Sequence, residues 1–198
     1  MSEKSSTFPI IVLILAIAMI GFGTYNLLKI PDTKYPQFQG AFTLHSGDKT
    51  VSFSDLAGKV SVVFFGYTHC PDVCPATLVN FGKALKMLDD DERSKVRAVF
   101  ISLDHERDTP ETVSKYTRFF DPEIIGLTGN AEEVTAAAKA FMVPLEKNAP
   151  NTRGNYTMNH GTYLYIIRPD GKLGELASHK DSAEKIVASL RAWIKWAE

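Results

Sequence analysis

The chain has 198 residues and a formal net charge of −1 at pH 7, from 22 basic and 23 acidic side chains. This near balance, without a stripe of basic residues, argues against nucleic acid as a partner. The 170 residues that follow the apolar N-terminal stretch suffice for one domain with one sizeable core.

The first segment is an uncharged stretch of 24 residues, Ser5–Leu28. A helix needs about 20 apolar residues to cross a bilayer, and the apolar part of a cleaved signal peptide is shorter than that. The end of the stretch also lacks a cleavage site of small residues. We therefore predict a cytoplasmic tail over 1–7, an uncleaved transmembrane signal anchor over 8–28 and a linker over 29–39, followed by one domain over 40–198.

The domain is predicted to open with a β-hairpin, in which short apolar runs flank the turn signal Ser46-Gly47-Asp48. The next run, Val60–Phe65, is β-branched and aromatic, as in a strand that is buried on both faces of a largely parallel sheet. Apolar residues three and four apart then predict a helix over Pro75–Leu88, with Pro75 as its first residue. Because a residue before proline avoids the helical region, Cys74 is expected in the loop that enters this helix.

The remaining segments continue to alternate between the two patterns. Strands are predicted at Val96–Leu103, Ile124–Leu127, Gly161–Arg168 and Leu173–Leu176, and helices after caps at Thr109, Asn130 and Asp181. Strands that alternate with helices predict an α/β layered domain with crossover connections.

Both cysteines lie in the segment His69-Cys70-Pro71-Asp72-Val73-Cys74-Pro75, directly after the first buried strand. Open α/β sheets place their sites at the carboxyl ends of strands, and a nearby helix N-terminus favours thiolate over thiol. A thiolate pair in this place can bind a soft metal or exchange with a disulfide. A structural disulfide is the third reading, but it does not require this position.

The number and softness of the ligands distinguish between metals. Two thiolates suit Cu(I), which accepts low coordination numbers and prefers soft ligands. A structural zinc site needs four ligands, and the chain has no further cysteine. One imidazole would complete a three-coordinate Cu(I) site, and an added oxygen would adapt the same set to Cu(II).

The candidates for that imidazole are the five histidines of the chain, His45, His69, His105, His160 and His179. His160 is the strongest candidate because the irregular loop 148–159 delivers it to the start of a strand, although a hydrogen-bonded structural histidine would suit the same place. His105 follows the second strand and either reaches the same sheet edge or is exposed. His69 is expected to point away from the thiols, and His45 and His179 to be solvated.

Five other side chains near the cysteine loop have predicted roles. Met158 is a spare soft ligand in principle, but a methionine in a loop usually packs. Asp104 lies at the same sheet edge, and Asp108 is expected to hold the start of the helix that follows Thr109. Tyr67 is expected to form a wall of the site, together with Phe65.

On these residues the chain resembles the Sco/SenC family of copper-handling, thioredoxin-like proteins. The resemblance rests on Gly66-Tyr67-Thr68-His69-Cys70-Pro71-Asp72-Val73-Cys74-Pro75, on Ser102-Leu103-Asp104 running to Asp108-Thr109-Pro110, and on His160 before Tyr163-Leu164-Tyr165 and Pro169-Asp170-Gly171. It implies a thioredoxin-like central sheet flanked by helices, with an added N-terminal hairpin. It also implies copper bound by Cys70, Cys74 and His160, and a role in assembling the binuclear copper centre of cytochrome c oxidase.

Three positions depart from the family pattern. The family commonly has Asp before the ligand histidine and Ser after it, where this chain has Asn159 and Gly161. It also commonly has Pro after the strand-ending Asp, where this chain has His105. None of these removes an implied ligand, but the loss of a carboxylate beside His160 is expected to change how that ring is oriented.

We therefore expect a membrane-anchored copper chaperone and not an enzyme. Its expected partners are the oxidase subunit that carries the binuclear copper centre and other periplasmic copper chaperones. The alternative is a thiol-disulfide reductase in which Cys70 and Cys74 are the redox dithiol and keep the client's copper-ligand cysteines reduced. A peroxide-reducing activity has only fold analogy in its favour.

The expected location is the bacterial inner membrane, with a single pass and the domain in the periplasm. An Arg-rich, acid-poor presequence of the mitochondrial type is absent from the N-terminal residues. The positive-inside rule gives only a weak answer, because Lys4 and the terminal amine oppose Lys29 and Lys34. The orientation therefore relies on the family resemblance as well.

Overall fold

The computed structural model describes residues 42–152 and 154–198, together with Met19. Within this part of the chain, no helix has both the length and the apolar character needed to cross a bilayer. The predicted tail over 1–7, the anchor over 8–28 apart from Met19, and the linker over 29–39 lie outside the described residues.

Nine strands are present in the described residues. They are β1 (Thr43–Ser46), β2 (Lys49–Ser52), β3 (Val60–Gly66), β4 (Val96–Ser102), β5 (Ile124–Leu127), β6 (Glu146–Lys147), β7 (Met158–Asn159), β8 (Tyr163–Ile167) and β9 (Leu173–Ser178). β1 and β2 form the predicted hairpin, with Gly47 at a positive φ of 55° in its turn. β6 and β7 form a two-residue antiparallel ladder that the sequence pattern does not predict.

The central sheet has five strands in the order β5-β4-β3-β8-β9. β3, β4 and β5 run parallel, and β8 is antiparallel to β3 and to β9. The turn between β8 and β9 contains Gly171 at a φ of 80°, as the Pro169-Asp170-Gly171 signal predicts. The parallel strands bring the loops that follow β3 and β4 to one edge of the sheet.

Within residues 42–152 and 154–198, five α-helices cover the sheet or connect its strands. They are α1 (Val73–Lys86), α2 (Asp90–Ser94), α3 (Pro110–Phe120), α4 (Ala131–Ala140) and α5 (Ala183–Trp196). One face of β3 packs in a cluster with residues of α1, α3 and α5, including Leu78, Val113 and Leu190. The other face packs against Phe141, which follows α4 and lies 4.9 Å from Phe65 between ring centroids. Every residue of β3 is therefore buried, as predicted.

Several helix and strand boundaries differ from the prediction. α1 begins at Val73, two residues before Pro75, and ends at Lys86. Proline is tolerated as the third residue of a helix because the first four backbone N–H groups have no acceptor within the helix. The cap of α5 is Ser182, whose side chain accepts a hydrogen bond from the Lys185 amide, and not Asp181. β8 begins at Tyr163, later than predicted.

Candidate metal centre

Cys70 and Cys74 lie on either side of the junction between the loop after β3 and helix α1. The early start of α1 places Cys74 in its first turn, so the prediction that Cys74 lies in the loop is wrong. The Cys74 amide, one of the unpaired donors of this turn, donates a hydrogen bond of 3.4 Å to Sγ of Cys70. The helix N-terminus thus acts directly on the sulfur of Cys70 and favours its thiolate.

His160 reaches the cysteines from the other side of the centre. Its Nε2 lies 3.5 Å from Sγ of Cys74. The ligand atoms of Cys70, Cys74 and His160 all lie within 4.8 Å of one another. Cys74 is fully buried, whereas Cys70 and His160 are partly exposed, and both thiols are free. The structure therefore brings the three predicted ligands together, with the buried sulfur at the base and the other two at the surface.

The orientation of His160 is set by its backbone and by aromatic neighbours. Its Nδ1 lies 2.8 Å from the carbonyl oxygen of Gly161. Because a carbonyl only accepts, Nδ1 carries the proton in this contact and Nε2 is left to bind a metal. The ring stands edge-on to Tyr67 at 5.7 Å between centroids. The side-chain amide of Asn159 donates a hydrogen bond of 3.3 Å to Glu146. The acceptor for Nδ1 of His160 is the Gly161 carbonyl and not the side chain of residue 159.

The two thiols have opposite acidities. The pKa of Cys70 is lowered, chiefly by a hydrogen bond from Cys74, while burial opposes the shift. The pKa of Cys74 is raised because its proton is held in the hydrogen bond to Cys70 and because its sulfur is buried. A proton shared by the pair is therefore favoured on Cys74, and the partly exposed Cys70 is the more acidic of the two thiols.

Gly66 provides the space that the buried sulfur occupies. A Cβ atom at position 66 would lie 2.7 Å from Sγ of Cys74 and 2.8 Å from Cε2 of Phe100. Neither neighbour has room to retreat, since Cys74 and Phe100 are both fully buried. The glycine before the cysteine loop is thus required by close packing and not by its backbone dihedrals.

Asp108 fastens the cysteine loop to the end of β4. Its carboxylate is buried and accepts hydrogen bonds from the Thr68 amide at 2.9 Å and the Thr68 hydroxyl at 2.5 Å. The Ser102 hydroxyl donates a further, short hydrogen bond to it. The start of α3 is capped by the side chain of Thr109, which accepts from the Thr112 amide. The predicted role of Asp108 at that helix start is therefore corrected, because its carboxylate bonds to the cysteine loop.

Asp104, Arg107 and Tyr156 hold the loop that carries His160, and we call this group the latch. The buried Asp104 accepts from Nε of Arg107 at 2.5 Å and from the Tyr156 hydroxyl at 2.6 Å. The Arg107 guanidinium also stacks 3.6 Å from the centroid of the Tyr156 ring. Burial and this hydrogen bond to Asp104 raise the pKa of Tyr156. Sequence reasoning missed Arg107 and Tyr156, which lie in polar loops without periodicity.

The remaining candidate residues lie outside the cluster. His69 is half exposed, with Nδ1 3.1 Å from the Thr68 hydroxyl. His105 is exposed, and His45 lies 3.4 Å from a carboxylate oxygen of Glu133. Met158 packs against the hydrophobic core, as predicted. Tyr67 is buried beside His160 and forms the predicted wall. Phe65 does not take part in it, because its side chain lies on the other face of β3 and packs against Phe141.

The sequence and the structure of this chain are similar to those of known proteins. The family model described as SCO1/SenC matches residues 31–195. Protein sco1 of Schizosaccharomyces pombe is 33% identical over 162 residues, which is 80% of this chain and 61% of that protein. Across the first four curated relatives, the chain spans between 48% and 61% of their length.

Two similar solved structures hold copper. Bradyrhizobium japonicum ScoI with copper bound has a TM-score of 0.72 and 37% identity, covering 78% of this chain and 98% of that one. Yeast Sco1 with copper bound has a TM-score of 0.74 and 28% identity, covering 81% and 90%. The central sheet and helices described above are thus the thioredoxin-like Sco fold.

Replacement of Gly66 by alanine is expected to destabilise the domain by about 1–3 kcal/mol, the cost of overpacking a filled core. Urea denaturation measures the change as a lower midpoint. Gly161→Ala is the matched control, because its Cβ would meet its nearest atoms at 3.7 Å, an ordinary contact. Equal midpoints for Gly66→Ala and the unmodified chain would contradict this account of the packing.

Cys70 is expected to react with iodoacetamide at pH 6, where an ordinary thiol with a pKa of about 8.5 is almost wholly protonated. A lowered pKa means that thiolate persists as the pH falls and is lost only when the pH passes below the folded-state value. Peptide mapping should show modification of Cys70 well before Cys74. Cys74→Ala removes the main cause of the shift and should move the onset of reaction to higher pH. An onset near pH 8 in the unmodified chain would refute the assignment.

Proposed function

The chain belongs to the SCO1/SenC family, and on that premise we propose that it binds copper through Cys70, Cys74 and His160. The observation that carries this proposal is the convergence of two sulfurs and one imidazole nitrogen within 4.8 Å. The copper-bound structures of B. japonicum ScoI and yeast Sco1 support copper as the metal.

The donor set favours Cu(I) as cargo. Two thiolates and one imidazole are soft ligands, and Cu(I) accepts three of them. Zinc would need a fourth protein ligand, and the cluster found among the described residues has three members. Because the pKa of Cys70 is lowered and that of Cys74 is raised, the proton that binding releases comes from Cys74. Cu(II) would require an added oxygen ligand.

Delivery of copper is supported by the uneven burial of the ligands. Cys74 is fully buried, whereas Cys70 and His160 are partly exposed. A client ligand can therefore approach the metal from the side of Cys70 and His160 while Cys74 still holds it. We propose that the client is the cytochrome c oxidase subunit that carries the binuclear copper centre, and that other periplasmic copper chaperones act in the same route.

A membrane location fits this role. An anchor over 8–28 would hold the domain at the bacterial inner membrane, on the periplasmic side, close to a membrane-embedded client. The linker over 29–39 would separate the metal centre from the bilayer. This placement rests on the apolar N-terminal stretch and on the family.

Thiol-disulfide exchange is the second candidate function, because the acidities of the two thiols suit it. The Cys70 thiolate would attack one sulfur of a client disulfide and release the other as a thiolate, which leaves a mixed disulfide. Cys74 would then lose its proton and attack Cys70, which releases the reduced client and leaves a Cys70–Cys74 disulfide. The client gains two electrons, which the dithiol loses. His160 is not needed in this exchange.

Copper affinity of the reduced chain distinguishes the ligands. In competition with a chromogenic Cu(I) chelator, we expect one copper per chain, and none in Cys70→Ala/Cys74→Ala. His160→Ala should bind copper at least about tenfold more weakly, since changes outside the ligand set already cost 10–100-fold. His105→Ala is the matched control, because His105 is exposed and outside the cluster, and should bind copper as the unmodified chain does.

The same variants separate the two functions. Equal affinity in His160→Ala and the unmodified chain would exclude His160 as a ligand. Reduction of a client disulfide that survives His160→Ala and is lost in Cys70→Ala/Cys74→Ala would establish the exchange chemistry. Absence of Cu(I) uptake by the unmodified chain would refute the copper proposal.

A further inference from the structure

A cleft of about 490 Å³ lies between the hairpin, α3 and the edge strand β5. Its volume falls in the range of small-molecule sites, roughly 300–1,000 Å³. Its cationic lining comes from three separate elements, Lys49 of β2, Arg97 of β4 and Arg118 of α3. The hydroxyl-bearing residues Ser46 and Ser114 add potential donors.

The cleft lies at the end of the sheet opposite the metal centre. β3, β4 and β5 are parallel, and the cysteine loop and Asp104 follow the carboxyl ends of β3 and β4. Arg97 is the second residue of β4 and Ile124 the first of β5, so both lie at the amino ends. No residue of the Cys70, Cys74 and His160 cluster lines the cleft.

The cations of the cleft lack the partners that other cations of this domain have. Arg93, Arg107 and Arg191 each bond to a carboxylate. In contrast, the side chains of Lys49, Arg97 and Arg118 form no ion pair or hydrogen bond with the described residues. Among the described residues of the lining, Asp48 is the one acidic residue. Three positive charges against one leave the described lining with an excess of two.

Arg97 carries the strongest indication of a ligand. Its Nε is buried and has no hydrogen-bond partner among the described residues. A buried donor without an acceptor costs free energy, and such groups are rare in native proteins. A guanidinium presents its donors in a planar fork that matches the oxygens of a phosphate or carboxylate. A bound oxyanion would satisfy this nitrogen.

We propose that this cleft binds a phosphate monoester. Such a group carries a charge of about −1.5 to −2 near pH 7, which matches the excess of two positive charges better than one carboxylate does. Arg97, Arg118 and Lys49 hold the phosphate, and the apolar lining residues Val51 and Ile125 contact the organic part. Soluble metabolites and phosphatidic acid both carry a phosphate monoester, so the ligand of the cleft is either a soluble ester or a lipid.

Calorimetric titration of the full chain in detergent tests the proposal with matched probes at constant ionic strength. The probes are glycerol 3-phosphate and dihexanoyl phosphatidic acid, with glycerol and dihexanoyl phosphatidylcholine as controls that lack a net charge. We expect saturable binding of at least one phosphate monoester and of neither control. Arg97→Gln and Arg118→Gln should each weaken it by at least about tenfold, since each removes charge-assisted hydrogen bonds.

Lys86→Gln removes an exposed charge outside the cleft and should leave the affinity unchanged. Arg118 is exposed, so its replacement leaves the core intact. The Arg118→Gln variant therefore tests the proposal independently of any effect that replacing the half-buried Arg97 has on folding. Binding of the lipid tenfold tighter than glycerol 3-phosphate identifies a lipid source, and equal or weaker binding identifies a soluble ester. Absence of saturable binding, or binding that both arginine variants retain, overturns the proposal. Copper uptake is independent of all these outcomes.

Discussion

The close packing of the Cys74 sulfur against the end of β3 is the constraint on which the metal centre depends. The sulfur fits there because position 66 has no side chain, and Phe100 of the neighbouring parallel strand closes the space behind it. Because this buried sulfur has a fixed position, Cys70 and His160 can both be placed by their contacts with Cys74. Cys70 is held to it through the Cys74 amide, and His160 through a 3.5 Å approach of its Nε2.

Two polar groups bring the surrounding loops to that fixed point. Asp108 joins the cysteine loop to the end of β4, and the latch joins the loop before His160 to the same strand end. Both carboxylates are buried, and charge-assisted hydrogen bonds of this kind are stronger than neutral ones. The fold therefore supplies one ligand fixed by burial, Cys74, and two ligands positioned by loops, Cys70 and His160. This arrangement suits a site that must accept and release a metal.

The sequence predicts the parts of this centre that depend on local pattern. The apolar run of β3, the cysteine loop at its carboxyl end and the hairpin are all present as predicted. The start of α1 differs because proline is tolerated inside the first helical turn, so Pro75 does not mark the boundary. Arg107 and Tyr156 could not be predicted, since their contact joins residues 49 positions apart through polar loops. The lining of the cationic cleft is likewise assembled from separate elements, and no sequence pattern indicates it.

X-ray absorption at the copper edge of the Cu(I)-loaded chain distinguishes an imidazole that binds the metal from one that only lies beside it. We expect two sulfur ligands and one nitrogen ligand, and in His160→Ala the loss of the nitrogen with both sulfurs retained. A sulfur-only environment in the unmodified chain that His160→Ala leaves unchanged would contradict this expectation, because the imidazole would then be a neighbour of the cysteines and not a ligand.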